Sequence, residues 1–142
     1  MYLVERRHRK QLDHGTHFAT RFGAIYFVTI CCVARHRNSL CHESLAAMLF
    51  TTARLYHAKA RWYLNLLLLI PDHLHLLIGI DGKAPLSDIV RDFKRIIART
   101  TGIKWQRNYF DHRVRKDESL PEKADYILNN PMRTGFVTRA NQ

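Results

Sequence analysis

Two apolar runs separated by two residues place the tightest constraint on how this chain can fold. "WYLNLLLLI" (62–70) and "HLHLLIGI" (73–80) flank Pro71-Asp72. No uninterrupted apolar stretch, Leu66 to Ile70 included, approaches the roughly 20 residues that a membrane span takes, and both runs have the length of buried strands. Pro71-Asp72 breaks the pattern between them, so the two strands are expected to pair antiparallel. With 142 residues, 46% of them hydrophobic, the chain can bury one core and is too short to divide comfortably into two.

The remaining elements follow from periodicity. "AIYFVTICCV" (24–33) is β-branched and aromatic, as a strand should be. Between His42 and Ala60 the positions Leu45, Leu49, Thr52, Ala53 and Tyr56 recur at helical spacing. Leu86, Ile89, Val90, Phe93, Ile96 and Ile97 form a second helical stripe, with Arg91, Arg95 and Arg99 on the opposite face. "NYFDHRVR" (108–115) reads as a short fourth strand. Ser119 with Glu122 resembles a capping box and Asn130-Pro131 a stop, so a last helix of about three turns is expected between them. The order β-α-β-β-α-β plus a final helix is that of an α+β, ferredoxin-like split βαβ sheet. Residues 1–23, basic and without sustained periodicity, read as an arm, and residues 24–142 as the single domain.

Charge narrows the partners. Lys and Arg total 23 against 12 Asp and Glu, a formal charge of +11, which favours a polyanion, nucleic acid before membrane. The N-terminus lacks the apolar core of a signal peptide, and Cys31, Cys32 and Cys41 form neither a disulfide framework nor a CxxC pair, so a cytoplasmic protein with reduced, buried thiols is expected. Candidate phosphate contacts are Lys94, Arg95, Arg99, Lys104, Arg107, Arg113 and Arg115, with Arg6, Arg7, Arg9 and Lys10 in the arm. Trp105, Gln106 and Arg107 are suited to stacking on or hydrogen-bonding an unpaired base. His36, His42 and His57 read as surface residues.

Two imidazoles interrupt the third strand. Residues i and i+2 of a strand share a face, so His73 and His75 project together, away from Leu74 and Leu76. They can converge on one divalent cation, or each can be satisfied by its own hydrogen bond. Tyr126 and Asn130, four apart on the last helix, share a face with Lys123 one turn earlier. A tyrosine there is either an aromatic anchor or, beside a metal, a nucleophile toward phosphorus. Tyr109 and His112 are weaker competitors for the same two roles.

"PDHLHLL", "IVRDFKR", "WQRNYFDHRVR" and "ADYILNNPMRTGFV" occur in that order between residues 71 and 137, within a resemblance that covers about residues 20–137. On these motifs the chain resembles the REP-associated tyrosine transposases, a branch of the HUH-type single-strand DNA transposases. The resemblance implies that His73 and His75 bind Mg2+ or Mn2+, that Asn130 completes the site (with Asn129 as the alternative), and that Tyr126 is the nucleophile. It also implies cleavage and strand transfer on single-stranded or hairpin DNA through a 5′-phosphotyrosine, by a monomer or homodimer. Two other functions compete. One is a non-catalytic module that grips single-stranded nucleic acid on a ferredoxin-like sheet. The other is a zinc hydrolase, for which Asp72 is the sole candidate base beside the histidines, and that residue should face away from their metal.

Overall fold

The structure, a computed structural model, describes residues 4–6 and 24–114. The expected last helix, with Tyr126, Asn129 and Asn130, falls outside the described residues, as do Arg7, Arg9, Lys10 and Arg115. Within them, β1 (Val4–Arg6) precedes β2 (Ala24–Cys31), α1 (Glu43–Ala58), β3 (Tyr63–Ile70), β4 (His73–Ile80), α2 (Leu86–Thr101) and β5 (Phe110–Arg113).

The apolar runs form the centre of a five-stranded sheet ordered β1-β3-β4-β2-β5, every neighbouring pair antiparallel. Ile70 pairs with His73 across Pro71-Asp72, so the expected hairpin forms with a two-residue connection. Strand β4 lies between β2 and β3, and the β2-α1-β3 crossover straddles it, which is the split βαβ arrangement of a ferredoxin-like α+β fold. All eight residues of β3 are buried, which explains a run that is apolar except at Asn65 in place of alternation.

Both helices bury most of the stripe that their spacing marked out, with Leu45 and Leu86 half-buried and Ile96 exposed. Helix α1 buries Ala46, Leu49, Phe50, Thr52, Ala53 and Tyr56, and α2 buries Ile89, Val90, Phe93 and Ile97. They meet over an aromatic cluster in which Trp62 stands 5.0 Å from Tyr56 and 5.1 Å from Phe93 between ring centroids. Burial drives the Cys32 thiol up to about 11 and Cys41 to about 12, with the Asp72 charge adding to the Cys32 shift, so these are inert core residues.

Two details depart from expectation. Val4–Arg6 of the arm pairs with Leu66–Leu68 of β3, closing an edge whose backbone would otherwise lie unpaired, and three residues are too few to show a periodicity. His57, expected at the surface, is half-buried: its Nδ1 accepts the Leu64 N–H at 3.0 Å and its ring meets Tyr63 at 4.6 Å. His36 and His42 are exposed as expected.

Helix α2 ends where Gly102 adopts φ 81° and donates its N–H to the Ala98 carbonyl at 2.9 Å. This left-handed cap turns the chain into the 103–109 segment that delivers β5. No atom stands within 4 Å of a Cβ built at Gly102, so the conformation alone resists a side chain. Gly102→Ala is therefore expected to cost about 1 kcal/mol in a urea titration, without altering the near-UV spectrum of the aromatic cluster.

Candidate functional site

Register decides which side chains share the histidine face. Cys31 stands opposite His73, Thr29 opposite His75 and Phe27 opposite Leu77, while Leu68 and Ile70 of β3 flank the two histidines from the other side. The pair thus sits on the central strand, with ring centroids 4.9 Å apart and planes at 79°. Ring centroids of two imidazoles sharing an ion through Nε2 can be no more than about 6.5 Å apart, given metal–nitrogen bonds of about 2.1 Å, so this separation fits a common ion.

Each imidazole is held through its Nδ1. Asp72 Oδ1 lies 2.7 Å from His73 Nδ1, and Thr29 Oγ1 lies 2.9 Å from His75 Nδ1. Phe27 stacks on His75 at 5.1 Å and 23°. Among the described residues neither Nε2 has a hydrogen-bond partner, and these two nitrogens are the ones left to bind a ligand. Tying Nδ1 to a carboxylate or hydroxyl fixes ring orientation, and the Asp72 carboxylate, which can only accept, directs the basic lone pair of His73 to Nε2, as metal-binding histidines require.

Asp72 is itself built in. Its Oδ2 accepts the His36 N–H at 2.7 Å and pairs with Arg35 Nε at 3.1 Å, while its carbonyl accepts the Cys32 N–H at 2.8 Å. Burial works to raise its carboxyl, but the His36 N–H, His73 and the Arg35 guanidinium outweigh it and keep the group below its ordinary range. Considered as a base, Asp72 does not face the open side of the histidines; it grips His73 from behind. A carboxylate directly before the first histidine is a visible signal for that role. Thr29 gave none, standing 46 residues from its partner. Among the described residues no group of three or more His, Cys, Asp and Glu is placed to hold a metal, so an ion at the two histidines would need further ligands from other residue types or other parts of the chain.

The basic residues divide. Arg95, Lys104 and Arg107, joined by Arg91, line a cleft of about 570 Å³ between α2 and the 103–109 segment, with Trp105 and Tyr109 in its wall and no acidic residue among its lining. Arg91 is partly spent on Asp88 at 3.2 Å and Asp92 at 3.3 Å. Lys94 also borders the cleft, but its ammonium donates to the carbonyls of Gln106 at 2.8 Å and Arg107 at 3.1 Å, tethering the segment to α2. Trp105 Nε1 reinforces the tether by donating to the Lys94 carbonyl at 3.0 Å, and Gln106 Nε2 donates to the Cys32 carbonyl at 3.1 Å. Gln106 and the Trp105 indole edge are thus engaged internally. Arg99 and Arg113 are exposed and lie outside the cleft. No helix among the described residues is long and apolar enough to cross a membrane.

The Transposase IS200 like family matches residues 22–130, from the first residues before β2 past both histidines. The chain belongs to that family. It is 26% identical over 81 residues to the REP-associated tyrosine transposase of Escherichia coli, covering 55% of this chain and 49% of that one. A Haemophilus influenzae protein assigned to the same group is 31% identical over 87 residues, covering 49% of each. The chain thus spans about half the length of these curated relatives. Its fold is similar to that of a REP-associated tyrosine transposase solved with a REP hairpin bound, with a TM-score of 0.69 and 23% identity over 82% of this chain and 72% of that one.

Burial, and secondarily the positive charge that His73 can carry, lowers His75 to about 3, so in the folded chain its imidazole stays neutral throughout the mildly acidic range. The unfolded imidazole takes a proton near pH 6.5, so the associated stability is complete above that pH and is lost on acidification. Between about pH 6.5 and 4.5, above the range where Asp72 contributes, His75 is expected to subtract about 1.4 kcal/mol per pH unit. Urea denaturation of wild type and His75→Gln across that window checks this: the variant's slope is shallower by one proton.

Proposed function

We propose that this IS200-like family member is a metal-dependent endonuclease and strand transferase acting on single-stranded and hairpin DNA of the REP-palindrome type. The observation that carries the reading is the histidine pair: two neutral-capable imidazoles on one strand face, each fixed at Nδ1 and each offering Nε2. Supporting it are the basic cleft beside the same sheet and the resemblance of "ADYILNNPMRTGFV" to the family's nucleophile motif.

His73 and His75, with Asn130 or Asn129, are the proposed ligands of Mg2+ or Mn2+. When bound, that ion supplies Lewis-acid polarisation and orientation of the scissile phosphate. Tyr126 Oη attacks phosphorus, the new O–P bond replaces the bond to the 3′-oxygen, and the phenolic proton leaves to solvent as the 3′-oxygen gains one. A 5′-phosphotyrosine remains. Because the phosphodiester bond energy is kept, a second 3′-hydroxyl can reverse the exchange and join strands without hydrolysis. Asp72 and Thr29 hold the imidazoles in place through both steps. Arg95, Arg99, Lys104, Arg107 and Arg113, with the arm cations Arg6, Arg7, Arg9 and Lys10 and with Arg115, attract the phosphate backbone without reading bases.

Incubation with labelled hairpin DNA from the source genome and Mn2+ is expected to trap a covalent protein–DNA adduct, and chelation to abolish it. Tyr126→Phe loses the adduct while binding stays within a few fold; an adduct at wild-type yield from this variant rejects the assignment. His73→Ala and His75→Ala lose it too, and Asp72→Asn weakens Mn2+ binding by 10- to 100-fold in electron paramagnetic resonance titrations.

Charge reversal offers a separate check. Lys104→Glu and Arg107→Glu are each expected to reduce the slope of log K against log salt by about one, to a similar extent on matched and scrambled hairpins, as phosphate contacts do. A loss confined to the matched hairpin would mark base reading instead.

A further inference from the structure

On the open side of the histidine face the sheet carries an aromatic ring that the fold does not use. Phe110 opens β5, is 64% exposed, and pairs across the sheet with Thr29, which in turn stands opposite His75. Leu68, His75, Thr29 and Phe110 therefore form one row across four strands, and the Cα of Phe110 lies two strand spacings, about 10 Å, from that of His75. The row is asymmetric. Leu66, Leu68 and Leu77 are closed from solvent, whereas Phe27, Thr29, His73 and His75 are partly open, so the accessible strip leads from the histidines toward β5.

We propose that Phe110 is the stacking platform for the unpaired base next to the phosphate held at the histidine face. The inference rests on the nucleic-acid reading above and adds a residue and a position to it. Its occupant is a nucleotide base because the surroundings suit a polyanion. The chain's formal charge is +11, and the exposed Lys104, Arg107 and Arg113 stand on the segment and edge strand that carry Phe110, on the face opposite the ring. The acid in β5, Asp111, pairs with Val28 and so belongs to the opposite face. Tyr109 lines the basic cleft against α2 on that opposite side. An exposed phenylalanine offers a flat apolar surface to any base, and stacking of this kind tolerates sequence. It fixes where the strand lies, which makes Phe110 a positioning residue for the reaction.

The test uses the full chain, in chelator, with a hairpin bearing a four-nucleotide unpaired flank that carries 2-aminopurine at one flank position at a time. Wild type is expected to quench one position most strongly. Phe110→Ala, at an exposed site that leaves the thermal midpoint unchanged, relieves that quench and weakens the flanked hairpin roughly tenfold while a stem-only hairpin binds as before. Phe110→Trp restores both. Quenching that Phe110→Ala leaves untouched at every position overturns the proposal, as does an equal loss on the stem-only hairpin. A change of oligomeric state in light scattering also overturns it, by making Phe110 a contact between copies. The covalent-adduct assay of wild type with Mn2+ runs separately. No adduct alongside Phe110-dependent quenching rejects the catalytic reading alone, and an adduct with Phe110-independent quenching rejects the stacking platform alone.

Discussion

The Asp72 carboxylate joins the parts of this molecule that the chain order keeps apart. It is 6% exposed and receives the His36 N–H, the Arg35 guanidinium and His73 Nδ1. A buried carboxylate with fewer partners would carry a desolvation cost of several kcal/mol, so these donors are a condition of its being there. They also pin the 33–41 segment to the β3–β4 turn, helped by the Pro71 carbonyl, which accepts the Ser39 and Leu40 N–H groups at 2.7 and 2.9 Å. The same two oxygens thus shape a loop and orient an imidazole. His36 shows the constraint: it holds φ 64°, a conformation disfavoured for its residue type, where its N–H reaches Asp72.

From that anchor the sheet distributes chemistry by face and by strand. The split βαβ order puts β4 between β2 and β3, so the histidines are supported from both sides, by Thr29 and Phe27 on one and by Leu68 and Ile70 on the other. Rigid strand neighbours hold ligand geometry better than a loop does. The cationic cleft lies across the β5 edge from the histidines, separating a region suited to phosphates from one suited to chemistry. Lys94, which charge alone would assign to the first region, serves the second indirectly by fixing the segment that delivers β5.

Much of this was legible in the sequence, and for identifiable reasons. The runs at 62–70 and 73–80 and the helical stripes ending in Tyr56 and Ile97 are local patterns, and local patterns survive folding when burial agrees with them. The shared face of His73 and His75 follows from strand period alone. Three features escaped. Strand β1 is too short to carry a period. His57 binds a backbone N–H seven residues away in the next element. Thr29 meets His75 solely because β2 and β4 are adjacent.

The sequence by itself determined the two helices and the strands from β2 to β5, their order, the charge and the pairing of two imidazoles on one strand, because each depends on residues within a few positions of one another. Tertiary structure decided which neighbours those imidazoles have, which cations are spent internally and which remain to meet a ligand, and that the exposed ring of Phe110 shares a row with His75. Those outcomes depend on strand order and register, which bring together residues tens of positions apart, and no local pattern records them.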